Sequence, residues 1–187
     1  MKTRRICGVD EVGRGTLAGP VVASAVILQE NHNIEGLKDS KKLSVKNREL
    51  LFPLIIESSM SIGISIVDSQ IIDKLNIRRA TLLAMKNAVL DLTIKPDIVL
   101  VDGLDKIDMN IPNENIIKGD SKVDVIMAAS IIAKVKRDDL MKEYSNKYPE
   151  FGFEKNKGYG TKFHLNALKN NRPSPIHRMT FKPIRKK

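Results

Sequence analysis

The stretch GVDEVGRGTLAGPVVASAVIL, residues 8–28, carries the reading of the fold. Residues 4–9 read as a short strand that runs into Asp10 and Glu11. A loop containing Gly13, Gly15, Gly19 and Pro20 follows, and VVASAVIL, dominated by Val and Ile, reads as a second strand. Downstream, Ser44 is placed to cap a helix through KNRELLFPLIIE, where Pro53 should kink the helix or end its first part. SIGISIVD (61–68) reads as a third strand, and after Asn76 the apolar positions Ile77, Ala80, Leu83, Ala84 and Leu90 follow the helical period. DIVLVDG (97–103) is almost wholly apolar, the pattern of a strand covered on both faces, and ENIIKG (114–119) reads as one more. Ser121, with Asp124 three residues on, resembles a capping box opening the long helix VDVIMAASIIAKVKRDDLMKEY. The face made by Met127, Ala128, Ile131, Ile132 and Val135 implies close packing on a sheet, with Lys134, Lys136 and Arg137 turned elsewhere. A last helix is expected at about 161–170. Three early strands followed by strands alternating with helices predict an α/β fold, a mixed five-stranded sheet flanked by helices.

At 187 residues the chain has single-domain size and can bury a core without disulfides or a structural metal. No repeat, low-complexity tract or Gly/Ser linker marks a boundary. No apolar run approaches the roughly 18 residues of a membrane span. The opening MKTRRICGVDEV is basic, but Asp10 and Glu11 arrive before an apolar leader core can form, so secretion is not expected. Cys7 is the single cysteine; it excludes an internal disulfide and a cysteine zinc cluster, fits a reducing cytoplasm, and reads as a small buried hydrophobe.

The net charge of +10 is all C-terminal: residues 155–187 hold ten Lys and Arg and no acid, whereas the 22 basic residues before them are matched by 22 acids. Such a block suggests a footprint for a polyanion, most simply nucleic-acid phosphates. Arg185, Lys186 and Lys187 taken alone read as a solvated tail. Tyr159, Phe163, His164 and Phe181 are interleaved with the other charges, as expected of a surface that touches sugar and base as well as phosphate.

Asp10 and Glu11 end the first strand, Asp102 ends the buried DIVLVDG strand, and Asp120 precedes the long helix. Carboxylates at strand ends of an α/β sheet point into the crevice where ligands bind. Two carboxylates about 4 Å apart repel by roughly 4 kcal/mol at an effective dielectric of 20, so four ionised acids at one spot require cations or shifted pKa values. Oxygen-only ligands point to Mg²⁺ or Mn²⁺ rather than Zn²⁺, and hard cations beside a basic surface suggest two-metal phosphodiester hydrolysis. Singly, Asp102 before Gly103 also reads as a turn residue and Asp120 as a helix cap. On a strand Asp10 and Glu11 face opposite sides, so one of them needs a partner on the core side.

The opening stretch strongly resembles the N-terminal signature of bacterial ribonuclease HII, the type 2 ribonuclease H. The resemblance continues through DSKKLS (39–44), NIRRATLLAM (76–85), VLVDG (99–103), KGDSK (118–122), AASIIAKVKRD (128–138), KGYGT (157–161) and HRMTF (177–181). Gly13-Arg14-Gly15 looks like the type 2 form; type 3 relatives usually carry Lys there and have an extra N-terminal domain. Thr16 and Leu104 depart from the family pattern, where Pro and Asn are common, and neither removes a carboxylate.

The resemblance implies a ribonuclease H-like core over about residues 1–148 and a helical basic C-terminal extension over about 149–187, together one domain spanning 1–187. It also implies that Asp10, Glu11, Asp102 and Asp120 are the catalytic, metal-binding acids. Gly13, Arg14, Gly15 and the hydroxyphenyl ring of Tyr159 would sense the 2′-hydroxyl at an RNA to DNA junction, the group that distinguishes a ribonucleotide there. Lys41 and Lys42 would hold backbone phosphates, with Ser130 lining the same groove. Taken singly, Tyr159 reads as a packing residue and either lysine as a solvated charge. His164 and His177 have no carboxylate at short spacing and read as partners in a structural hydrogen bond or a phosphate contact. The implied activity is endonucleolytic hydrolysis of RNA in RNA/DNA hybrids and at single ribonucleotides in duplex DNA, by a cytoplasmic monomer using Mg²⁺ or Mn²⁺. Its rivals are a nuclease of the same fold with another substrate and a non-catalytic RNA-binding protein.

Overall fold

Strands β1 (Ile6–Val12) and β2 (Val21–Leu28) pair antiparallel across the glycine-rich loop, with Asp10 opposite Ser24 and Glu11 opposite Ala23. The computed structural model describes residues 4–37 and 44–185, so Lys41 and Lys42 lie outside the described residues. Along the chain follow α1 (Val45–Glu57), β3 (Ser59–Val67), α2 (Ser69–Leu75), α3 (Ile77–Leu90), β4 (Ile98–Asp102), β5 (Asn113–Ile116), α4 (Asp124–Lys147), α5 (Phe153–Asn156) and α6 (Lys162–Asn170). The sheet order is β3-β2-β1-β4-β5, antiparallel from β3 to β1 and parallel from β1 to β5. The expected mixed five-stranded sheet flanked by helices is what forms.

Central position explains the composition of β2: all eight of its residues are buried, because helices cover both faces. On one face Cys7, Val9, Ala23, Ala25, Val99 and Val101 pack with Ala80, Ala84 and Ala88 of α3. On the other, Val26 and Leu28 pack with Leu51 and Ile55 of α1 and with Met127, Ala128, Ile131 and Ile132 of α4. Gly8 faces α4 so closely that a Cβ there would collide with the Val125 carbonyl group. Strand alternation therefore sends Cys7 and Val9 into the α3-side core and Gly8 and Asp10 toward α4.

The cap foreseen at Ser44 forms, accepting from the N–H of Asn47; Asn76, read only as preceding a helix, also caps it, accepting from the N–H of Arg79, and Thr161 caps α6. Several local expectations need correction. Pro53 lies within α1, which runs past it to Glu57. SIGISIVD ends in Asp68, but Asp68 leaves the strand to cap α2, which the sequence reading did not separate. The strand expected at ENIIKG starts one residue earlier, at Asn113, and stops at Ile116, where Lys118 turns at φ 58° into a 3-10 turn over Gly119–Ser121. The capping box does not form: the Ser121 hydroxyl donates to the Lys118 carbonyl, and α4 opens behind Val123 with no side-chain cap. Asp120 therefore sits in the turn, three residues ahead of Val123, the position that caps the helix. Arg137 does turn away from the sheet, but inward; it is fully buried. Among the described residues no helix is long and apolar enough to cross a membrane.

Candidate active site

Parallel pairing brings the acids together. β1 and β4 align with Val9 opposite Val101, so Asp10 and Asp102 are the next residues in line on neighbouring strands. Asp102 is in turn paired with Ile116 at the end of β5, from which the chain enters the turn that carries Asp120. The Asp102 carboxylate fastens that turn, accepting from the backbone N–H of Gly119 at 2.7 Å and of Asp120 at 3.3 Å.

Burial pushes the Asp10 carboxyl well above the usual carboxylate range; the negative charges of Glu11 and Asp102 add to the effect, and hydrogen bonds from Ser130 and the Glu11 N–H oppose it. Glu11 is also raised by burial and by Asp102, against the Arg14 guanidinium 3.3 Å away and a hydrogen bond with Asp10. Three acids thus act on one another electrostatically, and the fourth is tied to them through the backbone. The carboxylates of Asp10, Glu11 and Asp102 are engaged by protein donors, and among the described residues no three His, Cys, Asp or Glu side chains are already drawn into a metal-holding group. The donor set is nonetheless that of a hard divalent cation: carboxylate oxygens only, partly desolvated, bearing more negative charge than their surroundings neutralise.

A pocket of about 230 Å³ opens beside this cluster, walled by Glu11, Val12, Arg48, Asp120, Ser130, Ile131 and Lys134. Ser130 lines this pocket and hydrogen-bonds Asp10; the groove the sequence assigns it, shared with Lys41 and Lys42, involves residues outside those described. Arg48 of α1 and Lys134 of α4, the latter 2.6 Å from Asp138, were not singled out; two cations one helical face away from clustered acids were the available signal. A larger cleft of about 660 Å³ runs along Lys106–Asn113, but Asp108 is its only acid.

The Gly13-Arg14-Gly15 triplet follows directly from β1. Gly13 has φ +97°, and a Cβ there would collide with the Arg137 side chain, whereas a Cβ on Gly15 would meet nothing within 4 Å. Only Gly15 therefore leaves the backbone open to a close-lying sugar. Tyr159 is exposed; its carbonyl accepts from His164 Nδ1 at 2.9 Å. Phe163 is exposed as well, but His164 is fully buried and Phe181 half-buried against Arg178, so neither joins the interleaved contact surface expected of them.

His164 and His177 form the structural hydrogen bond, 2.9 Å between their Nε2 atoms. Their tautomers follow from the neighbours. A carbonyl only accepts, so His164 carries its proton on Nδ1 toward Tyr159, its Nε2 accepts from His177, and His177 Nδ1 accepts from the Ser174 N–H at 2.9 Å. Both rings sit among Phe151 and Phe153. Burial lowers both pKa values, that of His177 to about 4 with the His164 charge contributing.

A family model described as Ribonuclease HII matches residues 7–184. Ribonuclease HII of Caldicellulosiruptor bescii is 53% identical over 178 residues, covering 95% of this chain and 86% of the relative. That of Bacillus subtilis is 52% identical over 181 residues, covering 97% and 71%. Among solved structures, ribonuclease H2 from Pyrococcus horikoshii superposes with TM-score 0.82 at 30% identity, covering 97% of this chain and 95% of that one. The ribonuclease HII of Archaeoglobus fulgidus, solved in complex with PCNA, gives 0.82 at 27%, covering 98% of each. A sheet that gathers acids at the ends of β1 and β4, matched over nearly its whole length by these proteins, places the chain in the ribonuclease HII family of ribonucleases H.

Proposed function

We propose that this ribonuclease H cuts the RNA strand of RNA/DNA hybrids and incises 5′ to single ribonucleotides embedded in duplex DNA, leaving 3′-hydroxyl and 5′-phosphate ends, and thereby removes misincorporated ribonucleotides during replication and repair. The observation that carries the reading is the meeting of Asp10, Glu11 and Asp102 with the Asp120 turn at the adjacent ends of β1, β4 and β5. Asp10, Glu11, Asp102 and Asp120 would hold Mg²⁺ or Mn²⁺, which would supply activation of the attacking water and charge stabilisation for the leaving oxygen.

The chain's own residues position and neutralise. Ser130 holds the Asp10 carboxyl, and Asp102 holds the backbone that presents Asp120. Arg48 and Lys134 on the pocket wall, with Lys41 and Lys42, attract the phosphates of the scissile strand. Arg14, paired with Glu11, and the open face of Gly15 meet the sugar, and the Tyr159 ring packs on the other side of the 2′-hydroxyl. The core to about residue 148 carries the acids and the extension from about 149 carries Tyr159, so both parts of one domain spanning 1–187 serve the reaction, and a monomer suffices for it.

The test is cleavage of a duplex with one embedded ribonucleotide, with and without Mg²⁺ or Mn²⁺, beside an all-DNA duplex and the Asp10→Asn variant. Cutting that requires the ion, spares all-DNA, and falls at least about 100-fold in the variant is expected, since even outer-shell changes cost 10–100-fold. Undiminished cutting by Asp10→Asn overturns the mechanism; equal cutting of the all-DNA duplex overturns the substrate.

A further inference from the structure

Two buried arginines, Arg137 and Arg178, each donate four hydrogen bonds from their guanidinium groups. Arg137 of α4 is fully buried and donates through Nε to the Pro20 carbonyl at 2.9 Å, through Nη1 to the Lys157 carbonyl at 2.8 Å, and through Nη2 to the Thr16 hydroxyl and the Ala18 carbonyl at 2.9 and 3.1 Å. Arg178, also fully buried, donates to the carbonyls of Gly13 at 2.6 Å, Arg14 at 2.8 Å and Gly19 at 2.9 Å, while its own backbone N–H bonds to Leu17. A glycine- and proline-rich loop has no ladder to occupy its carbonyls; here the carbonyls of Gly13, Arg14, Ala18, Gly19 and Pro20 all end on two guanidinium forks. The planar fork with five donors is what suits Arg, and not Lys, to this task.

The same forks reach the second recognition element. Arg137 Nη1 bonds the carbonyl of Lys157, two residues before Tyr159, and the Leu17 N–H bonds the Gly158 carbonyl at 2.8 Å. The triplet that follows β1 and the turn that carries Tyr159 are therefore one hydrogen-bonded body. The segment after Arg178 is anchored by Asp73, which accepts from the N–H groups of Met179 and Thr180.

We infer that Arg137 and Arg178 are positioning residues for ribonucleotide recognition, which hold Gly13-Arg14-Gly15 and Tyr159 at a fixed separation so that the 2′-hydroxyl is read between them. The inference rests on the assignment of those elements as the 2′-hydroxyl sensor. Losing a fork leaves the acids in place but lets the sensor drift, and displacements near 1 Å are enough to cost catalysis heavily.

The experiment measures kcat and KM on two substrates, the one-ribonucleotide duplex and a long RNA/DNA hybrid, for the wild type, Arg178→Lys, Arg137→Lys, Thr16→Val and Tyr159→Phe. Each is assayed well below its melting temperature with the folded fraction checked by circular dichroism. Thr16→Val removes one acceptor of Arg137 and leaves both arginines, so a usable variant remains if the lysine variants fail to fold. The expected result is a fall of about 10-fold in the ratio of kcat/KM values, single ribonucleotide over hybrid, for the lysine variants and about 3-fold for Thr16→Val. The fall should sit in kcat with KM held, because phosphate contacts lie elsewhere. Equal losses on both substrates indicate mere loss of fold and overturn the inference. If Tyr159→Phe changes the ratio and folded arginine or Thr16 variants do not, only this inference fails; if Tyr159→Phe leaves the ratio untouched, the sensor assignment itself fails and takes the inference with it.

Discussion

Gly13→Ala and Gly15→Ala, two methyl groups placed two residues apart, are expected to have opposite effects. At Gly13 the backbone has φ +97°, where an L side chain costs about 1–2 kcal/mol. The new Cβ also collides with Arg137 Nε, whose hydrogen bond to the Pro20 carbonyl is 2.9 Å long and buried. Disturbing a buried charged donor adds about 1–3 kcal/mol, for a total of roughly 2–5 kcal/mol. In a chain of 187 residues that corresponds to a fall in melting temperature of roughly 4–20 °C. Gly15 is outside the left-handed region and its Cβ would touch nothing within 4 Å, so Ala there leaves stability unchanged or raises it by about 0.4–1 kcal/mol. That methyl instead enters the space assigned to the sugar and lowers cleavage of the one-ribonucleotide duplex. Thermal and urea melts of both variants, with cleavage measured on the folded fraction, make the comparison. A Gly13→Ala protein melting within about 2 °C of wild type, or two variants equally destabilised, would refute the reasoning.

Two further outcomes are expected. The histidine pair folds neutral, and His177 is depressed to about 4 from its ordinary 6.5. Between those pH values the unfolded chain binds more protons, so stability is full above about pH 6.5 and falls, by on the order of 3 kcal/mol, toward pH 4. Urea melts across that range should show a steeper dependence than in His177→Gln; identical slopes would remove the histidines from the account. Burial pushes the Cys7 thiol up to about 12, so iodoacetamide at pH 8 should label the unfolded chain and spare the native one, as read by mass spectrometry. Rapid native labelling would contradict the packing of β1 against the core.

Much of the sheet was legible from local composition: VVASAVIL, dominated by Val and Ile, reads as a strand, and the almost wholly apolar DIVLVDG as one covered on both faces; that β2 is wholly buried came only with its central place in the sheet. The acids were legible for a related reason, since strand ends in parallel neighbours meet without any further information. What escaped depends on partners remote in the chain. The Ser121 capping box is locally sound, yet the N–H groups of Gly119 and Asp120 are claimed by Asp102 and the Ser121 hydroxyl by Lys118. Asp68 reads as the end of a strand until its side chain is seen accepting from the Ile71 N–H. Arg137 and Arg178 look like surface charges in any window, because their acceptors lie more than 100 residues away, apart from Lys157. The signal for them was indirect: a loop with three glycines and a proline has carbonyls that must end somewhere. His164 and His177 read equally as partners in a structural hydrogen bond or as a phosphate contact, and only their Nε2 atoms 2.9 Å apart decide for the former.

The long reach from Arg178 to Gly13, 165 residues along the chain, also sets an order of events on the ribosome. Residues of the first hairpin emerge early, and domains generally begin to fold from that end as synthesis proceeds. The loop after β1 nonetheless waits for donors translated far behind it, so its final shape is reached only when Arg178 has cleared the exit tunnel. A nascent chain that has emerged only as far as α4 carries Asp10, Glu11, Asp102 and Asp120 but leaves the carbonyls of Gly13, Arg14 and Gly19 without the Arg178 fork.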